Sequence, residues 1–208
     1  MLTVRADFDK RCVEISVYLD WLAKVETSAG DIPSGLPSTM KAAAMLLLYN
    51  VVESTMTNAV EAVFDELTQR KVSFDSLSSV LKATVLGNVR NVNADKLTPK
   101  LVAITTDIIS CSFDKTKVFN GNVDSRKIRE ILTDYGVSKT NAYEEERLHD
   151  IMLARNRLAH GAESFADYGK DLTAAQLIRD YERVKNLLSS ALDDFETYIS
   201  KRHYLSAV

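Results

Sequence analysis

The stretch MLLLYNVVESTMTNAVEAVFDEL, residues 45–67, most restricts what this chain can fold into. Its first half is apolar on nearly every side, so it reads as a helix enclosed by other helices rather than laid on a surface. The helical pattern extends over 40–69, with Ser38 or Thr39 expected as its N-cap. Asn50 and Glu53 interrupt it three residues apart, which puts both on one face. Something must cover this helix, and the sequence offers candidates. Val4, Phe8, Cys12, Ile15, Leu19 and Leu22 predict a helix over 4–28. Leu177, Tyr181, Val184, Leu188, Leu192, Phe195 and Ile199 predict another over 173–202.

Only seven glycines and three prolines punctuate 208 residues, and no segment alternates as strands do. The expected fold class is therefore an all-α helical bundle, in a chain long enough to bury a core without staples. SAGDIPSGLPSTM (28–40) is the clearest loop. In the middle, SLSSVLKATVLGNV and TPKLVAITTDIISCS look helical on either side of a linker at 91–97. FDKTKVFNGNVD reads as a loop or short hairpin. DSRKIREILTDYG reads as a short helix capped by Asp124 or Ser125 and stopped at Gly136. The organisation expected is one domain over 1–208 with a helical insertion over 82–138.

The net charge of −3 gives no global signal for a polyanion partner. Between residues 82 and 129, however, nine Lys and Arg face four Asp, a local basic excess in an acidic protein. MLTVRADFDKRC is charged and has no apolar signal-peptide region, and the longest uncharged apolar run, Ala42–Tyr49, is too short for a membrane span. These features predict a cytoplasmic protein without membrane contact. Cys12 and Cys111 stand alone, and no His, Cys or carboxylate cluster has metal-ligand spacing, so neither a metal nor a cofactor is expected. His149 and His203 lie apart from any motif.

ARNRLAHGAES, residues 154–164, closes a helix predicted over 140–160 whose first turns are acidic. At about 100° per residue, Leu148, Ile151, Met152, Leu158 and Ala159 all fall within about 60° of Arg155. That puts a guanidinium in the centre of the apolar stripe, where it needs a partner or a cleft. Glu53, a carboxylate on a nearly all-apolar helix, needs a partner of its own, which is Arg155, some other basic residue or solvent at the helix end; Asn50 on the same face extends that polar patch. Asn156 falls near 100° and His160 near 140°. These two are therefore neighbours four residues apart on a separate face, and Arg155 reaches His160 only awkwardly within one chain. Gly161 is a natural helix stop, which sets the imidazole at the negative end of the helix dipole. Arg157 points away from the stripe, toward the surface.

Arg155-Asn156-Arg157-Leu158-Ala159-His160 resembles the R-x4–6-H signature of HEPN domains, including the polar residue that often follows the arginine. The 45–67 helix and FNGNVDSRKIREILTDYG are also similar to a bacterial HEPN subfamily associated with toxin–antitoxin and phage-defence loci. The resemblance covers roughly residues 40–200. It implies a metal-independent endoribonuclease that works as a homodimer, two motifs meeting in one composite site. The implied roles are His160 as general base or acid and Arg155 as the phosphate contact, with Asn156 orienting His160 or touching the phosphate. Glu53, Asn50 and Arg157 would support the site. RNA, a second copy of the chain and an antitoxin or defence-system protein are the implied partners. Some HEPN toxins carry a tyrosine two residues after the histidine, which a partner nucleotidyltransferase modifies; here that position is Ala162. Two other readings stay open: a non-catalytic HEPN module that binds RNA or a nucleotide or acts as a dimeric scaffold, and a purely structural motif in which Arg155 pairs with Glu53.

Overall fold

The structure, a computed structural model, describes residues 1–28, 32–90, 108–110, 112–115, 118–119, 122–139 and 146–206. Among these residues the fold is all-α, with no strand. The helices are α1 (Leu2–Thr27), α2 (Leu36–Gln69), α3 (Ser79–Arg90), α4 (Ser125–Asp134), α5 (Glu146–Ala159), α6 (Phe165–Gly169) and α7 (Ala174–Ser200). A single 3-10 turn (Phe74–Ser76) precedes α3, and Leu77 bridges to Leu205. The linker expected at 91–97, most of TPKLVAITTDIISCS and the start of the helix expected from residue 140 lie outside the described residues.

The enclosed character of α2 is real. It packs against α1, α5, α6 and α7, and Ala42, Met45, Leu48, Tyr49, Val52, Met56, Val60 and Val63 are all buried along its length. The helix begins at Leu36, earlier than its apolar pattern, so Ser38 and Thr39 sit inside the first turn instead of capping it. The N-cap is Gly35, left-handed at φ 83°, and it has no side-chain cap. Glycine adopts that backbone without strain, and Pro37 in the first turn presets helical φ and gives up only an N–H that had no helical partner. Gly35 O then accepts from Thr39 N at 2.9 Å.

The short helix α6, which periodicity did not indicate, locks the start of α2. A Cβ on the buried Gly169 would collide with the backbone carbonyl of Ser38, so only glycine permits that approach. Beside it, the buried Lys41 donates from Nζ to Leu172 O at 2.6 Å and lies 3.3 Å from Glu26 Oε1. Glu26 Oε2 in turn accepts from Ala174 N at 2.9 Å. One carboxylate at the end of α1 thus serves both a buried ammonium and an otherwise orphaned amide at the start of α7. Further along α1, Tyr181 of α7 donates to Cys12 O at 2.9 Å.

α3 and α4 lie beside this bundle. Asp124 caps α4 by accepting from Lys127 N at 2.8 Å, and Gly136, at φ 71°, stands just beyond its end. Of the two caps expected there, Asp124 takes the role. Phe64 of α2 stacks on Phe113 and meets the edge of Tyr135, with ring centroids 4.5 and 5.9 Å away. No helix among the described residues is long and apolar enough to cross a membrane.

Candidate functional site

The site is built on α5, which buries Leu148, Ile151, Ala154 and Leu158. Those four side chains point, on average, about 45° to one side of Arg155. The expectation that Arg155 occupies the centre of the apolar stripe is therefore corrected: Ala154 extends the stripe on one flank, Ala159 is exposed on the other, and Arg155 sits half-buried at the rim. A rim position lets the long stem stay in the core while the guanidinium reaches the edge.

Three groups define where that guanidinium lies. Its Cζ is 5.2 Å from the centre of the Tyr49 ring, a cation–π placement. Its Nη1 donates to Asn156 Oδ1 at 2.9 Å. Asn156 in turn donates from Nδ2 to Asn122 Oδ1 at 3.1 Å. Arg155 makes no ion pair with Glu53, so the pairing weighed from the sequence is absent. The carboxylate and the cation instead act on the same tyrosine. Burial pushes the Tyr49 phenol up from its ordinary pKa, and Glu53 pushes the same way. The Val123 N–H, which donates to Tyr49 Oη at 3.3 Å, and Arg155 pull against them. Glu53 is half-buried one turn beyond Tyr49, whereas Asn50 faces solvent.

The helix end is a Schellman turn around Gly161, left-handed at φ 67°. Gly161 N donates to Leu158 O at 3.3 Å and Ala162 N to Arg157 O at 2.9 Å. His160 N donates to Asn156 O at 3.2 Å, and the imidazole is exposed. Asn156 and His160 share a face as their spacing predicts, but the Asn156 amide is turned to Arg155 and Asn122. Arg157 is exposed and stands 3.9 Å from Glu163 Oε2.

Three participants are not among the residues expected from the sequence. Tyr49 had a readable signal, since it lies four residues before Glu53 on α2. Asn122 had none, because only the fold brings it to Asn156. His149 does have a partner: its Nδ1 is 3.5 Å from Asp124 Oδ2. Among the described residues, no group of three or more His, Cys, Asp and Glu is placed to hold a metal ion.

A long central helix, a half-buried arginine on an aromatic ring and an exposed histidine at a glycine-terminated helix end suit recognition and chemistry of a phosphate. No curated protein and no solved structure matches the chain. A family model described as HEPN_MAE_28990-like HEPN matches residues 3–204, nearly the whole chain. The all-α protein described here belongs to that HEPN family.

Proposed function

We propose that the chain is a metal-independent endoribonuclease whose composite site forms when two copies bring their Arg155–His160 motifs together. The observation that carries this reading is the state of Arg155: half-buried, laid on Tyr49 and hydrogen-bonded to a neutral amide instead of a carboxylate. A guanidinium held without a counter-anion is suited to receive one, and a phosphate matches its fork of donors. The exposed imidazole of His160 is a side chain of the type that takes or gives a proton in general acid–base catalysis.

In the proposed reaction an RNA 2′-oxygen attacks the adjacent phosphorus while one imidazole takes the 2′-hydroxyl proton. The P–O5′ bond breaks, and an imidazolium from the second copy's motif protonates the departing 5′-oxygen. The products are a 2′,3′-cyclic phosphate and a 5′-hydroxyl, and no electrons are exchanged with an outside partner. Arg155 stabilises the charge on the phosphoryl oxygens. Asn156 holds Arg155, and Asn50, Glu53 and Arg157 border the site. By family association the activity is that of a cytoplasmic toxin or phage-defence effector restrained by a partner protein.

The deciding experiment is cleavage of single-stranded RNA in EDTA, with end-group analysis, on wild type and His160→Ala together. Loss of cleavage by about 10²–10⁴-fold with an unchanged circular-dichroism melt is expected. Undiminished cleavage in His160→Ala overturns the assignment. A second reading, a non-catalytic module that binds RNA or a nucleotide or serves as a dimeric scaffold, is favoured by one observation. Among the described residues no side chain orients the His160 imidazole. RNA binding without product by the same preparation selects that reading.

A further inference from the structure

Three successive residues between the middle of the chain and α4 each touch the candidate site. Asn122 accepts from the Asn156 amide at 3.1 Å, the Val123 N–H donates to the Tyr49 hydroxyl at 3.3 Å, and the Asp124 carboxylate stands 3.5 Å from the His149 imidazole. Extended backbone makes this possible, because neighbouring side chains then point to opposite sides. Asp124 is extended, at φ −129° and ψ 179°. Val123 is buried in the core at 1% exposure, while Asn122 and Asp124, on either side of it, reach α5. The segment is also tethered downstream, since Asp124 caps α4.

Tyr49 and Asn156, which this segment contacts, are also the two groups that hold Arg155. The guanidinium carbon lies over the Tyr49 ring, 5.2 Å from its centre, and the ring's hydroxyl is tied to Val123. The amide holds one Nη from the side and is itself tied to Asn122. A planar guanidinium held over a ring and at one nitrogen has its remaining donors restricted in orientation, so a phosphate meets it with less ordering left to do. We propose that Asn122–Asp124 is a positioning strap, with Asn122 and Tyr49 as positioning residues that set the Arg155 guanidinium for its anion. The identity of that anion as an RNA phosphate rests on the ribonuclease reading; the positioning itself does not.

The two are separable by experiment. Full-length protein with ¹⁵N-labelled arginine gives an Nε–Hε resonance for Arg155, assigned by its disappearance in Arg155→Lys. In wild type this resonance is shifted by the Tyr49 ring current and its motion is restricted. Tyr49→Leu removes the ring shift. Asn122→Ala loosens the resonance and raises KM for a short single-stranded RNA about fivefold to tenfold, as for one lost hydrogen bond, with a smaller change in kcat. Asn122→Asp keeps an acceptor for the Asn156 amide and restores the ordered resonance. Combining Asn122→Ala with Asn156→Ala adds nothing beyond the more severe single change, because both break one chain of bonds. If Asn122→Ala lowers only the melting temperature and leaves both the Arg155 resonance and KM unchanged, the strap is mere packing and the proposal fails. If wild type does not cut RNA, the ribonuclease reading falls, and the resonance still decides whether the strap positions Arg155.

Discussion

Two arginines of α5, two turns apart, are treated in opposite ways. Arg147 lies between carboxylates, with Nε 3.0 Å from Asp180 and Nη1 2.7 Å from Asp150, and Asp180 is itself buried on α7. Burial works against its charge, but the bonds to Asp180 and Asp150 outweigh that, and its pKa is raised above the ordinary arginine value. Arg155 has a ring and a neutral amide. The difference separates an arginine whose ion pairs tie α5 to α7 from one whose partners carry no charge. Charge in a helix is therefore read better by its partners than by its position: both arginines border the same buried face, yet only one is neutralised.

Removing either residue tests that contrast. Arg147→Ala leaves Asp180 buried without its counter-ion, so a loss of about 3–5 kcal/mol in urea unfolding is expected. A loss below about 1 kcal/mol would erase the structural side of the comparison. Arg155→Ala should lower stability by only about 1 kcal/mol, the scale of one cation–π contact, while RNA cleavage falls at least about a hundredfold. Large destabilisation with cleavage retained would make the two arginines alike. Next in size, Gly161→Ala puts a Cβ on a left-handed residue and should cost about 1 kcal/mol in the same assay. It probes whether the turn carrying His160 is rigid. The smallest effect belongs to Glu53→Gln: with no ion pair to Arg155, thermal unfolding should shift by the equivalent of about 0.5 kcal/mol or less. A shift several times larger would mean that Glu53 neutralises Arg155 in solution, and would move Arg155 to the structural class.

The helical class and most helix positions are legible in the sequence because burial on α1, α2, α5 and α7 follows one helical period. The start of α2 is not legible in its apolar pattern, since Gly35 and Pro37, not a hydroxyl cap, set it. The end of α5 was readable, as Gly161 has a backbone only glycine adopts easily. The wheel sets Arg155 too centrally, because spacing cannot show that the neighbouring helix covers Ala154 and leaves Ala159 exposed. The spacing on α2 puts Tyr49 on the face of Glu53, but its contact with Arg155 is not legible, and neither is the bond from Asn122 to Asn156. Tyr49 and Asn122 lie 106 and 33 positions before Arg155, and no local period relates residues so distant. His149 looked solitary for the same reason, its carboxylate being 25 positions earlier on another element.

The contacts that lock the start of α2 bear on how the chain is assembled. Ser38 fits against Gly169, Lys41 donates to Leu172, and Glu26 accepts from Ala174. All three pairs join regions more than a hundred residues apart, so they close late when synthesis runs from the N-terminus. The Arg155–His160 motif is translated before α6 and α7 exist to complete them. A growing chain thus carries the motif before the contacts that fix the start of α2 can close, and the central helix is locked at that end only as synthesis enters α7.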